Sequence, residues 1–193
     1  FFFFFMRKNK SDRKIIFWNR IGLIVSTSYL FFSLIVQSVV MNKFEKQLRE
    51  NNIIYQEIVV KPSPFNIILW TTNVKVDNGY WIGDYSFFDT KPIQFQYIPK
   101  QEKLIKNIEN EAVVQQLKRI SEGWFCITQK ENQLLFNDLR FGVMNTDEND
   151  LQFSFSYEII NKNGKFTAEE LPNKNREQAK KLLEKLWIRL QGN

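Results

Sequence analysis

The sequence predicts an α+β protein: one N-terminal transmembrane helix followed by a mostly antiparallel β-sheet domain, with one or two central helices and a C-terminal amphipathic helix. Three observations carry this. Residues 21–41 contain no charged side chain, the segments beyond residue 52 alternate apolar with polar residues, and the C-terminal stretch follows a three-four apolar spacing. The chain divides accordingly into a basic juxtamembrane segment (1–20), a transmembrane helix (21–41), a helical extension (42–51) and a soluble α+β domain (52–193).

The uncharged run has 21 residues. At a rise of about 1.5 Å per residue they span roughly 30 Å, the thickness of a hydrocarbon core. A cleavable signal peptide has a shorter apolar region and ends at small residues, which Ser38, Val39, Val40 and Met41 do not supply. Six basic residues precede the run (Arg7, Lys8, Lys10, Arg13, Lys14, Arg20) and three follow it (Lys43, Lys46, Arg49), a bias that puts the soluble domain outside the cytoplasm. Gly22, Ser26, Ser33 and Gln37 fall on one helical face, which suits a neighbouring transmembrane helix, although Ser is also tolerated in such helices by chance. The opening Phe1 to Phe5 reads either as the tail of a preceding apolar helix or as an artefact ahead of Met6.

The formal charge of +6 suggests nucleic acid until it is placed along the chain. Residues 6–20 hold six basic residues against Asp12, so +5 of it lies beside the apolar run and +1 is left for the rest. A near-neutral domain has no footprint for phosphate backbones, so no nucleic-acid partner is expected; the basic cluster fits the flank of a membrane helix or anionic headgroups, making the lipid bilayer the expected partner.

In the soluble part, residues 53–60, 65–76, 80–88 and 93–98 are rich in β-branched and aromatic side chains, and Asp77, Asn78, Gly79 mark a hairpin turn, together predicting an antiparallel meander. Residues 124–128 and 134–141 predict a second hairpin around Lys130, Glu131 and Asn132. Leu151, Phe153, Phe155, Tyr157 and Ile159 alternate with polar residues, predicting a strand with one buried and one wet face. Residues 101–120 suit one helix or two short ones. Ala179, Leu182, Leu183, Leu186, Trp187 and Leu190 predict an amphipathic helix whose stripe packs on the sheet; the alternative is a membrane-surface helix, since Lys180, Lys181, Lys185 and Arg189 surround the stripe.

The chain has no His, which excludes Ser-His-Asp and Cys-His catalysis and every His-based metal site within these residues. Glycine is too sparse for a phosphate loop, and neither a P-loop nor a dinucleotide fingerprint occurs. The single Cys126, in an apolar run, reads as a small buried hydrophobe. Ser11-Asp-Arg-Lys14 matches Ser-x-x-Lys only literally, having no pocket to desolvate the lysine. The acidic run Asp147 to Asp150 lacks the spacing and Gly of a calcium loop and reads as a solvated turn. Asp138 and Arg140, two apart on a strand, project to one face, where they either pair or serve a ligand. Pro62 and Pro64 stiffen the entry to a strand, with Asn66 placed to bond the adjacent backbone.

Pro62-Ser-Pro-Phe-Asn66 with Leu69-Trp70, then Asn78-Gly-Tyr-Trp-Ile-Gly-Asp-Tyr-Ser86 with Asp89, and Asn137-Asp-Leu-Arg-Phe-Gly142, resemble in order and spacing the C-terminal half of the membrane-bound, LexA-regulated metal-dependent hydrolases of the YdjM type, over residues 21–155. The resemblance implies a bacterial inner-membrane protein with further transmembrane helices. It also implies a divalent metal and a hydrolase centre in an N-terminal membrane half not contained here, with this chain as the accessory part. No cofactor and no catalytic or metal-ligating residue is expected within these residues. Pro62, Pro64, Asn66, Trp70, Tyr80, Tyr85, Asp138 and Arg140 carry the family pattern with no role assigned, and fold maintenance explains each of them. The alternative function is a non-catalytic membrane-anchored binding or structural domain, for which a cleft lined by Trp70, Trp81 and Tyr85 beside Arg140 is the expected signature.

Overall fold

The computed structural model describes residues 12–64, 66–130, 133–145, 151–171 and 176–192. Helix α1 (Asp12–Glu50) runs unbroken for 39 residues. Over residues 15–35 its large apolar side chains point into open space, and it is long and apolar enough, by length and composition, to cross a membrane. The helix then changes role: Val40, Phe44 and Leu48 are fully buried, and Val36 and Met41 pack beside them. The last turn and a half of the uncharged run thus packs into the core beside the first sheet. Gln37, assigned by spacing to a polar membrane face, instead donates to the Val60 carbonyl (3.1 Å). The opening residues and three of the six basic residues of the cluster, Arg7, Lys8 and Lys10, lie outside the described residues.

Two four-stranded antiparallel sheets follow, each in sequence order. The first holds β1 (Glu57–Pro62), β2 (Leu69–Val76), β3 (Gly79–Ser86) and β4 (Phe95–Pro99). The second holds β5 (Phe125–Lys130), β6 (Gln133–Asn145), β7 (Gln152–Lys162) and β8 (Lys165–Glu170). Between the sheets come a 3₁₀ turn (Glu102–Ile108) and α2 (Ala112–Ile120), so the central region is two short helices; α3 (Arg176–Leu190) closes the chain. The predicted α+β architecture holds.

Side-chain alternation sets the layers. One face of the first sheet puts Val60, Trp70 and Tyr85 against α1, and its other face puts Tyr80, Ile82 and Ile98 against Trp124, Cys126, Leu139 and Phe153 of the second sheet. The outer face of the second sheet, with Phe125, Ile127, Phe136 and Ile159, is covered by Ile105, Val114 and Leu117 of the short helices. The order is helix, sheet, sheet, helices. Both sheets are thus covered on both sides, which corrects the expectation of a wet face on β7: Ser156 is buried there alongside Phe153 and Ile159, and register shifts between Asp138 and Asn145 break the strict alternation of its partner strand. β8 was not anticipated; its turn signal is Asn163-Gly164, both at positive φ as a tight two-residue hairpin requires.

The direction of α1 relative to the first sheet fixes the site's surroundings. Gln37 meets β1 near its end, whereas Ile53 and Gln56 bond back to Leu48 and Lys75 at its start. α1 therefore runs antiparallel to β1, and its exposed apolar half extends beyond the edge where Pro62, Leu69 and Ser86 are aligned.

Part of the α3 stripe stands off the sheets, contrary to expectation: Leu183 and Trp187 are exposed, as is Ile188 beside them, while Leu186 and Leu190 are half-buried. Most of the sheet surface is already covered by α1, by the other sheet and by the short helices. Its C-terminal end docks through Arg189 to Asp89 (2.6 and 2.7 Å), through Ser86 Oγ donating to the Leu190 carbonyl (2.6 Å), and by Gly192 lying so close to Phe88 that a Cβ would sit 2.4 Å from its carbonyl oxygen.

Candidate functional site

Three of the family-pattern aromatics are core. Trp70 lies under α1 and donates its indole N–H to the Ile67 carbonyl (2.8 Å). Tyr85 packs edge-on to Phe44, and Lys43 caps it by both a hydrogen bond to its hydroxyl (2.9 Å) and a position 4.2 Å over its ring. Tyr80 bolts the two sheets together: its hydroxyl donates to the Gly123 carbonyl (2.8 Å) and accepts from the Phe125 N–H, and burial pushes its pKa up to about 12. Asn66 organises the β1–β2 turn, its Oδ1 accepting from the N–H groups of Ile68 and Leu69 and its Nδ2 donating to the Pro64 carbonyl. The expected cleft of Trp70, Trp81 and Tyr85 beside Arg140 does not form, because alternation along β2 and β3 sends Trp70 and Tyr85 to the α1 side and Arg140 belongs to the second sheet, on the other side.

Asp138 and Arg140 do share a face and pair. Asp138 is buried and takes a bidentate contact from Arg140 (2.7 to 3.2 Å) as well as the Arg140 backbone N–H (2.9 Å), and Arg140 reaches on to Glu122 (3.2 Å). This hydrogen bonding to Asp138 pushes the guanidinium's pKa further up. Asn137 beside them is saturated, donating to Cys126 O and Thr128 Oγ1 and accepting from Ser156, so it holds β5, β6 and β7 together. Burial drives the Cys126 thiol up to about 12, removing its nucleophilicity.

A cleft of about 950 Å³ opens where the first sheet projects past the second. Its floor is β2 and β3, with Thr71, Asn73 and Asp84; one wall is β6 from Arg140 to Val143; α3 supplies Lys185, Leu186 and Arg189; Lys61, Pro62 and Pro64 form the rim. Pro62, Pro64 and Arg140 are the predicted positions it contains. Asn73 donates to the Leu139 carbonyl across the sheets (2.8 Å), while its buried Oδ1 has no partner. Asp84 accepts from Thr71, its cross-strand neighbour (2.7 Å), and burial raises its carboxyl pKa against the lowering effects of Thr71 and Arg189. Hydrogen-bond acceptors therefore sit at the base, and Lys61, Lys185 and the two arginines sit around the mouth with a single carboxylate, Glu122. Sequence reasoning missed Lys61, Asn73, Asp84 and Arg189. The available signal was that Thr71, Asn73 and Lys75 place polar groups at every second position of a strand buried on both faces.

Comparison with known proteins finds no matching family model, no matching curated protein and no matching solved structure. Among the described residues no group of three or more His, Cys, Asp or Glu could hold a metal ion; the acidic run Asp147 to Asp150 lies outside them.

Proposed function

We propose that this chain is a membrane-anchored, non-catalytic binding domain that takes a small phosphate-bearing polar group, such as a phospholipid headgroup or its soluble glycerophosphate equivalent, into the cleft between the two sheets and α3. One observation carries the reading: a buried acceptor without a partner, Asn73 Oδ1, in a cleft whose mouth is basic. A buried unpaired carbonyl costs on the order of 1–3 kcal/mol, which a ligand hydroxyl or ammonium recovers when the Asn73 side chain turns toward the cleft to accept from it. Lys61 spends one of its three donors on the Arg140 carbonyl (2.7 Å) and keeps two for a phosphate. The bias of basic residues before the apolar run supports a cytoplasmic N-terminal flank and an extracytoplasmic domain at a bacterial inner membrane.

The test is calorimetric titration of the detergent-purified chain with glycerol-1-phosphate and, separately, inorganic phosphate. Millimolar or tighter saturable binding of glycerol-1-phosphate is expected, at least threefold tighter than phosphate and about tenfold weaker in the exposed double variant Lys61→Ala, Lys185→Ala. Absence of saturable binding sinks the proposal, and equal affinity for the two probes sinks the role of Asn73.

The family resemblance supports a second reading, in which this domain is the accessory part of a metal-dependent hydrolase whose divalent-metal site lies in preceding membrane helices. The small and polar residues Gly22, Ser26 and Ser33 on one face of α1 support it, since such a face suits close approach of another helix. The full reading frame tests it: without His and Asp on apolar helices upstream, this reading fails.

A further inference from the structure

The geometry points to a membrane-contact face formed by α3 together with Phe87 and Phe88, which lies on the surface of the bilayer that α1 crosses and takes anionic phospholipid as its partner. The inference rests on α1 being a membrane helix and not on what the cleft binds.

Direction comes first. Because α1 runs antiparallel to β1, the strand ends at Pro62, Leu69 and Ser86 face the side on which the exposed apolar half of α1 emerges. With the domain core claiming Val36, the helix leaves protein within about one turn of those ends, so the bilayer begins close beneath them. The loop after β3, carrying the exposed Phe87 and Phe88, belongs to this edge.

α3 crosses the same edge. Lys185 and Leu186 border the cleft near Pro62 and Pro64 at the end of β1, whereas Arg189, Leu190 and Gly192 contact Asp84, Ser86, Phe88 and Asp89 around the end of β3. From residue 185 to 192 a helical chain advances about 10 Å, and two inter-strand spacings, β1 to β3, are also about 9.5 Å. The helix thus lies across the strands, hence across α1, in the plane a bilayer surface would occupy.

The chemistry of the face matches that position. Leu183, Trp187 and Ile188 form an exposed apolar ridge on a helix whose sequence holds five basic residues against two acidic ones. Trp and aliphatic side chains with flanking Lys and Arg are the composition of helices that lie in the headgroup region of anionic membranes. The sheet faces that could have covered the ridge are occupied by α1 and by the second sheet. The bidentate Arg189 to Asp89 contact then acts as a latch that holds the ridge in register with Phe87 and Phe88.

The experiment uses the whole chain with Cys126 replaced by Ala and one new cysteine at a time, Trp187→Cys, Phe31→Cys or Ile54→Cys, each labelled with an environment-sensitive fluorophore. Ile54 is 91% exposed and sits at the opposite end of the sheet. The protein is reconstituted into phosphatidylglycerol and phosphatidylethanolamine vesicles with and without lipids carrying a nitroxide quencher. At least twofold quenching is expected at 187 by a quencher near the headgroup and at 31 by one deep in the chain, with none at 54. If 31 is quenched while 187 behaves like 54, the contact face is wrong and the anchor stands. A label at 187 that is shielded from water yet not quenched by lipid means that protein covers the ridge, which also overturns the proposal. Absence of quenching at 31 overturns the membrane reading itself.

Discussion

Phe44 and Phe31 lie on the same helix, and only the first is packed against the sheets. Phe44 is fully buried against Tyr85 and Phe95 at centroid distances of 6.3 and 6.4 Å, with Val60, Trp70 and Ile93 in the same cluster, whereas Phe31 is 66% exposed. Burying a phenylalanine removes about 200 Å² from water, worth up to about 5 kcal/mol at 25 cal/mol per Å². Alanine retains part of that and the cavity left behind adds a cost, so Phe44→Ala should lose about 4 kcal/mol. For a domain of this size that lowers the Tm by roughly 8–16 °C. Phe31→Ala removes no contact with the domain and should shift it by less than about 2 °C by the same scaling. Thermal unfolding of detergent-purified protein, followed by tryptophan fluorescence and by the loss of far-UV ellipticity, measures both. Equal shifts for the two variants, or a Phe44→Ala shift below about 3 °C, would refute the division of α1 into an exposed apolar half and a core-packed half.

Asp89 and Arg189 form a contact in which the carboxylate is nearly inaccessible, so truncating the arginine leaves a buried charge short of a partner. A double-mutant cycle of Asp89→Asn and Arg189→Ala should give a coupling energy of about 1.5–3 kcal/mol and new protease cleavage around α3; additivity within about 0.5 kcal/mol would contradict the latch. Asp84 has its pKa raised by burial, so the folded state holds a proton that the unfolded chain has already lost. Its contribution is greatest below the unfolded value of about 4 and is lost as pH rises through the raised folded value. Asp84→Asn, which keeps an acceptor for Thr71, should flatten the fall in Tm over that window, and an unchanged slope would count against this assignment. Cys126, with its thiol pushed up to about 12, should react with a maleimide only after denaturation; rapid labelling of native protein at pH 7 would show that the sheet interface is open.

Much of the fold is local chemistry and was readable as such. An uncharged run as long as a bilayer is thick, an Asn-Gly turn between β-branched stretches, and apolar residues at three-four spacing each specify an element through their neighbours in sequence, which is why α1, the meander and α3 were foreseen. The pairing of Asp138 with Arg140 was equally accessible, because two residues apart on a strand means one shared face. Trp70, Tyr80 and Tyr85 could be marked as special but not explained, since a bulky aromatic has the same appearance in a sequence whether it lines a cleft or fills a core. Their burial follows from which face of β2 and β3 meets α1 and which meets the second sheet.

What the amino-acid order determined by itself was the set of elements and the division of charge, with +5 of +6 gathered before the apolar run. What only the tertiary structure decided was which surfaces remained unclaimed. Two sheets packed face to face, with α1 on one side and short helices on the other, left Leu183 and Trp187 of the α3 stripe uncovered and left Asn73 Oδ1 buried without a partner beside a cleft. Those outcomes depend on contacts between residues such as Asp89 and Arg189, 100 positions apart. Hydrophobic periodicity reports whether a side chain seeks an apolar neighbour, whereas the identity of that neighbour, protein or lipid, is fixed only when all the layers compete for the same surfaces.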